Sequence, residues 1–311
     1  MHYRRWVVRR LWLGILVIWG AATTSFVALQ LLPGNPALVI AGGGNNYPSE
    51  ATLRAVERTY GFDKSIVTQY LTFLGRLLRG DFGDSYQLHQ PVGSILSSQA
   101  AASAELAAGG AIIGALVGVA VALATAGRPR AAGAARCLEL LAVSTPGFWI
   151  GLVLLSLFSF DLHLFPVIGN DGVSSLVLPW ITLALPVAGS TSLVMREEME
   201  QALVQPFALT VRARGVSESR LRSRHLLKHT APPVLTLSSW IVGQLFGGVV
   251  VIEQVFARDG LGQTLVAAVE GRDLPVVTGV VVFVAVVFVL VNFVVDGLYL
   301  AVDPRLRRQP A

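Results

Sequence analysis

Apolar residues in this chain run in long unbroken blocks, not at the short intervals of an amphipathic strand or helix. Six windows carry no charged residue: 11–32, 106–127, 140–160, 172–195, 233–252 and 274–295. Each reaches the roughly 20 residues a helix needs to cross a hydrocarbon core about 30 Å thick. A chain in lipid must bond its own backbone, so each window is expected to be a transmembrane helix. The first could instead be a secretory leader, because Arg4, Arg5, Arg9 and Arg10 precede it. Its apolar run is too long for a leader, and Leu31-Leu32-Pro33-Gly34-Asn35 is not a small-residue cleavage site, so an uncleaved span is expected.

The segments between the windows are patterned differently. Residues 33–100 form too long a stretch for a plain loop and too short a one for a sizeable core of its own. Ser49, then Leu53, Val56 and Tyr60, then Gly61, predict a short capped helix. A second is expected from Asp63 as N-cap to Gly80 past its end, with Val67, Tyr70, Leu71, Leu74, Leu77 and Leu78 on one stripe. That stripe either packs on the outer ends of the spans or forms a platform for an extracytoplasmic partner.

The link 196–233 has its own punctuation. Pro206 interrupts the extension of the fourth span, after which Val204, Phe207, Ala208 and Val211 share a face that Arg212 and Arg214 avoid. Gly215 suits a left-handed cap, and Ser217 can cap a second helix running to about Thr230, ahead of Pro232-Pro233. The resulting knob either lies in the headgroup layer or docks into a soluble partner, and docking is the favoured reading.

Charge fixes an orientation. Of the Lys and Arg residues, 17 fall in the N-terminus, the links 128–136 and 196–228 and the C-terminal tail, leaving five in 33–100 and two more, Arg258 and Arg272. Positive segments stay cytoplasmic, so both termini are expected inside and 33–100 outside. The same distribution accounts for the net charge of +5 without nucleic acid. Composition agrees: 53% hydrophobic and 14% charged, against about 25% charged in soluble domains.

Catalytic chemistry is sparse. A single cysteine, Cys137, permits neither an internal disulfide nor a thiolate cluster. The only lysines, Lys64 and Lys228, follow Asp63 and Leu227, so the chain lacks the Gly-Lys of a phosphate loop. His225 and His229 have metal-compatible spacing, but no Glu follows His225, and the basic surroundings favour a solvated face. No serine, Ser97 and Ser192 included, sits in a G-x-S-x-G setting. Glu105, Glu139, Glu253 and Asp296 lie near the spans and are expected to face the interior or a wet end. Glu105 and Glu139 are placed at helix beginnings, and Glu253 and Asp296 are expected to pair or cap locally.

Leu32-Pro33-Gly34-Asn35-Pro36, Gly80-Asp81-Phe82-Gly83-Asp84-Ser85-Tyr86, Ala104-Glu105-Leu106-Ala107 and Thr145-Pro146-Gly147-Phe148-Trp149 follow one another along the chain. In this order they resemble the B-type permease subunit of bacterial dipeptide and oligopeptide ABC importers. Beyond these, Val211-Arg212-Ala213-Arg214-Gly215-Val216-Ser217-Glu218 looks like the family's cytoplasmic coupling loop, although Phe207 stands where the family usually has Tyr. Glu253-Gln254-Val255-Phe256, Arg272-Asp273-Leu274-Pro275 and Asp303-Pro304-Arg305 complete the series.

The resemblance implies an all-α membrane protein in the bacterial cytoplasmic membrane. Residues 1–32 would hold the cytoplasmic N-terminus and first span, 33–100 an extracytoplasmic helical insertion, and 101–311 a five-helix core with the coupling loop 196–233. It implies a non-catalytic subunit paired with a homologous C-type permease, two ABC ATPases that carry ATP and Mg²⁺, and an extracytoplasmic solute-binding protein. No cofactor is expected in this chain. Coupling falls to Val204, Phe207, Ala208, Val211, Arg212, Arg214, Gly215, Ser217 and Glu218, and docking of the binding protein to Gly80, Asp81, Phe82, Gly83, Ser85 and Tyr86. The solute would be a di- or oligopeptide, with a nickel complex, an opine or haem as alternatives in the same architecture. A proton-coupled secondary transporter is a different class, but no internal symmetry between the halves supports it. A structural membrane scaffold is another.

Overall fold

The computed structural model describes residues 2–31, 36–41, 48–170 and 172–302. Asn35 and its three predecessors, the motif 303–305 and the arginines at 305, 307 and 308 lie outside the described residues. Among the described residues the chain is helical, with one isolated antiparallel bridge, Asp84 to Pro91. Five helices are long and apolar enough to cross a membrane, through Val7–Ala28, Val92–Thr125, Ser174–Leu203, Thr236–Val255 and Leu274–Gly297.

The window 140–160 behaves otherwise. Helix α6 (Pro129–Ser144) meets α7 (Gly147–Leu154) and its π-helical continuation Leu155–Asp161 at a bend of 102°. The expected single third helix is therefore broken, and six spans result only if the bent pair counts as one. Proline explains the break. Thr145 is extended, with φ −84° and ψ 129°, as the residue before a proline prefers, and its hydroxyl donates to the Leu141 carbonyl at 2.6 Å.

The chain folds as two compact units. One is built on Ala102–Gly262 with the end of the last helix from Leu290. It contains most of α5 (Val92–Thr125), then α6, α7, α8 (Ser174–Leu203), α9 (Pro206–Ala213), α10 (Glu218–Arg220), a π-helical turn Leu221–Leu226 and α11 (Leu227–Val255). Gly110, Gly114 and Gly118 of α5 lie against Leu183, Val187 and Thr191 of α8, so closely that a Cβ at Gly114 would stand 2.8 Å from the Ala184 carbonyl. Small residues at four-residue spacing let two membrane backbones approach in this way. Leu106, Leu183, Val187, Ile241, Leu245, Val249 and Phe256 fill the core beside that contact.

The other unit comprises Arg9–Ala101 and Gln263–Val289. It contains α1 (His2–Gln30) from Arg9 onward, α2 (Pro36–Ile40), α3 (Glu50–Tyr60), α4 (Ile66–Leu77), most of α12 (Leu261–Glu270) and the first half of α13 (Leu274–Val302). Ser49 caps α3 by accepting from Thr52 N–H, and Gly61 ends it at φ +75°, both as the sequence predicts. The cap of α4 is Ser65, not Asp63, with Ser65 Oγ accepting from Thr68 N–H. Ser and Asp both favour that position, and spacing alone does not choose between them. The α4 stripe divides: Tyr70 packs on Phe26 of α1, joined by Phe73 from outside the stripe, with ring centroids 5.3 and 5.7 Å away, while Val67, Leu71 and Leu78 stay exposed.

A second difference lies at Pro232-Pro233, where a helix end is expected. Helix α11 instead runs from Leu227 through both prolines to Val255. Membrane helices tolerate proline because neighbouring groups and local changes of helix type satisfy the freed carbonyls, and a π-helical turn immediately precedes this helix.

Candidate functional site

The link between α8 and α11 is built outward from buried anchors. Helix α8 ends at Leu203, and Pro206 supplies the first residue of α9, where its missing N–H costs nothing. Ala208 is fully buried, and Phe207 and Val211 pack against a cluster of Ala122, Ala126, Met195, Met199, Leu221 and Leu226. The apolar face assigned to outward docking therefore packs on its own chain. The periodicity located that face correctly but carried no information on what covers it. Val204 is not on α9 at all; it closes α8 and is 81% exposed, and Leu209 on the outer side of α9 is 61% exposed.

The turn is held by charge. Arg212 Nε donates to Glu218 Oε1 at 2.6 Å, and its Nη1 donates to the Leu203 carbonyl at 3.2 Å, tying α8, α9 and α10 together. The Arg212 guanidinium holds the Glu218 carboxyl below the usual carboxylate range, and Glu218 in turn raises the Arg212 pKa. Gly215 sits at φ +74° with its N–H bonded to the Arg212 carbonyl at 2.9 Å, and no atom lies within 4 Å of where a Cβ would stand. Ser217 occupies the extended position before α10, but its side chain makes no capping bond. Arg212 already engages Glu218 in that first turn. Arg214 is exposed, so the outward surface of the knob includes Val204, Leu209 and Arg214.

The stretch 80–86 is tied down more than a docking loop requires. Gly80 and Gly83 take φ +74° and +82°. Asp81 accepts from Arg76 Nε and from Gly83 N–H, both at 2.8 Å, and the Arg76 contact holds its carboxyl below the usual range. Phe82 is half-buried. Ser85 is buried and donates to Asp273, whose carboxylate also accepts from the Tyr86 and Gln87 N–H groups at 3.2 Å. Tyr86 stands edge-on to Tyr60 with centroids 5.1 Å apart, and burial pushes its phenol pKa up. Ser85 and Tyr86 are thus internal anchors, leaving Gly80, Asp81 and Asp84 as the exposed part of the stretch. Asp273, which organises the turn, was visible in the sequence only as part of Arg272-Asp273-Leu274-Pro275.

Buried acids form two further clusters. Glu139 lies well inside α6, not at its beginning, and forms an ion pair with Arg196 of α8, the two being 5% and 1% exposed. Arg196 Nη1 also donates to Glu139 Oε1 at 2.6 Å, and Ser192 Oγ donates to the same oxygen at 2.5 Å. Arg196, counted from sequence among the basic residues of the link, is thus an interior group. Glu105 likewise falls mid-helix in α5. Glu253 does cap locally: its carboxylate accepts from Gly262 N–H at 2.7 Å and from Ser103 Oγ at 2.5 Å. Arg258 is buried nearby in sequence and donates to the Gly169 carbonyl at 3.2 Å and to Ser175 Oγ at 2.9 Å. Asp296 is half-buried in α13. Among the described residues no three His, Cys, Asp or Glu side chains come together in a way that would hold a metal ion.

Comparison with known proteins covers both ends of the chain. Residues 99–308 match the family described as binding-protein-dependent transport system inner membrane component, and residues 3–102 match that family's N-terminal region. A protein of Brucella abortus (strain 2308), named for a peptide transport system permease, is 36% identical over 97% of this chain and 98% of its own length. The dipeptide transport system permease protein DppB of Lactococcus lactis subsp. cremoris is 30% identical over 97% and 99%. The glutathione transport system permease protein GsiC of Salmonella typhi is 33% identical over 92% and 93%.

Proposed function

Since the chain belongs to the family of binding-protein-dependent transport system inner membrane components, we propose that it forms half of a translocation pathway for di- or oligopeptides. The other half is a homologous C-type permease. Two ABC ATPases bind on the cytoplasmic side, and a solute-binding protein delivers peptide outside. Both termini are cytoplasmic, and α2 to α4 are extracytoplasmic. The names of the relatives, which include peptide, dipeptide and glutathione systems, support a peptide as solute.

The observation that carries this reading is the knob of α9 and α10 around Gly215. Its inner face is anchored by the buried Ala208, Leu221 and Leu226, and its Arg212–Glu218 pair bridges its two helices. A displacement applied to Val204, Leu209 and Arg214 is therefore transmitted to the ends of α8 and α11 and is not absorbed by bending of the link. Closure of the ATPase pair on ATP supplies the displacement. The ligand biases a two-state arrangement of the spans. The test is reconstitution with the partner subunits in proteoliposomes. Val204→Asp with Leu209→Asp should leave the permease pair intact but release the ATPases and abolish uptake. Retention of the ATPases at wild-type level would defeat the docking assignment, and uptake driven by a proton gradient without ATP would defeat the class.

A further inference from the structure

We propose that α1 and α13 hold one phospholipid with an ethanolamine-type zwitterionic headgroup, its head in a hollow under α3 and α4 and one acyl chain in the groove below. Two separate hollows lie against this helix pair. The upper one, about 520 Å³, is lined by Phe26 and Gln30 of α1, by Leu274 and Pro275 of α13, and by residues of α3, α4 and the 80–86 turn. The lower one, about 420 Å³, is apolar and lies about a turn further into the spans, between Ala21, Thr24 and Ala28 of α1 and Val277 and Val281 of α13. Adjacent residues line the two: Ser25 and Phe26 on one helix, Val277 and Thr278 on the other. Ser25 of the lower lining and Thr278 of the upper one meet where the two linings adjoin, with Ser25 Oγ donating to Thr278 Oγ1 at 3.5 Å.

The charges of the upper hollow identify the head. Arg76 lines it but is engaged by Asp81. Arg58 and Lys64 also line it, and among the described residues neither has a carboxylate partner; Asp84, on the same lining, has no cationic one. Two unengaged cations and one unengaged carboxylate complement a phosphodiester joined to an ammonium. Tyr60 and Tyr86 add ring faces and edges to the same wall, and an ammonium is attracted to such faces. A short peptide with free ends would meet these charges too, but it would leave the apolar groove below unfilled. An acyl chain fills that groove and needs no polar partner there. The placement of α2 to α4 outside, proposed above, decides only which leaflet supplies the lipid.

The experiment is native mass spectrometry of the assembled permease complex released from nanodiscs of phosphatidylethanolamine, phosphatidylglycerol and phosphatidylcholine. One phosphatidylethanolamine should remain bound after the annular lipid is stripped. Arg58→Gln with Lys64→Gln should lower its retention roughly thirtyfold, given about one kcal/mol per basic residue at a lipid surface. Asp84→Asn should shift preference toward phosphatidylglycerol. Ala28→Phe fills the groove and leaves every headgroup contact in place, so it should lower retention as well, with Thr24→Leu as a milder second variant. Retention unchanged by Ala28→Phe and Thr24→Leu would mean that no acyl chain occupies the lower groove, and the proposal would fall. Retention unchanged in every variant, or absent in the wild type, would leave annular lipid only and overturn it equally. The same spectra report whether ATPase subunits are present, so loss of the proposed function and loss of the lipid site read out separately.

Discussion

Removing either partner of the Glu139–Arg196 pair should destabilise the α6–α8 contact more than most single substitutions elsewhere in the chain. The two side chains are 5% and 1% exposed, so a lone survivor has no route to water. Breaking a buried pair in this way costs about 3–5 kcal/mol, whereas replacing both partners with apolar residues is often close to neutral. Glu139→Gln leaves the Arg196 charge with a neutral acceptor, and Arg196→Met leaves the carboxylate with only Ser192. In a unit of this size each kcal/mol moves the midpoint by roughly 2–4 °C, so each single variant should melt about 6–20 °C below wild type. Glu139→Leu with Arg196→Met should recover most of that loss. Ser192→Ala, which removes one bond to the carboxylate, should cost about 1–2 kcal/mol. The assay is thermal unfolding of the detergent-solubilised permease followed by fluorescence-detected gel filtration. Single variants within about 2 °C of wild type, or a double variant as unstable as the worse single, would refute the claim that uncompensated charge is the cause.

Other expectations follow from the same geometry. Because nothing crowds a Cβ at Gly215, substitutions there cost only backbone strain, about 1–2 kcal/mol for a β-branched residue; solute-stimulated ATPase activity should fall in the order Asn, Ala, Val, and equal activity would mean the left-handed cap is not needed. In a Cys137→Ser background, an impermeant thiol reagent on intact cells should label Leu78→Cys, which is 89% exposed, but not Arg214→Cys; the buried Ser85 is unsuited to this purpose. Glu253→Ala strips the N–H of Gly262 and the hydroxyl of Ser103 of their acceptor, a loss of about 1–3 kcal/mol, readable as earlier proteolysis between α11 and α12. The Glu218 pKa is lowered in the folded protein, so the Arg212 bond is fully present above the unfolded value of about 4.3 and is lost as pH falls through the folded one. Coupled ATPase activity should therefore show no step from this pair between pH 6 and 8, and since the pair is half-exposed its contribution stays below about 1 kcal/mol.

What could be read from sequence depended on whether a feature was local. Apolar blocks set the spans because bilayer thickness acts on any helix alike, and Gly61, Gly80 and Gly215 announced their left-handed turns through the one residue type that adopts them freely. Pro206 marked a true helix end while Pro232-Pro233 did not, because the second depends on what neighbours do with the freed carbonyls. Pro146, inside an unbroken apolar window, broke a helix that composition alone could not distinguish from a straight one. The site suffered most where partners are distant in sequence. Glu139 and Arg196 are 57 residues apart, and Ser85 and Asp273 are 188 apart. No periodicity links such pairs, so sequence alone counts Arg196 with the basic residues of the link and Ser85 with the docking residues.

The 102° bend between α6 and α7 has a bearing on biosynthesis. At 1.5 Å per residue the 16 residues of α6 reach about 24 Å, and α7 with its π-helical continuation about 22 Å, both short of a bilayer's apolar thickness. Helix α6 also brings Arg130, Arg136 and Glu139 with it. Neither half is therefore a span that a translocation channel can release into lipid by itself. Glu139 remains unneutralised until Arg196, in the last third of α8, has been synthesised. Stable integration of this region is therefore expected to require α8, whose Arg196 neutralises Glu139, so that α6 and α7 should enter lipid together with it.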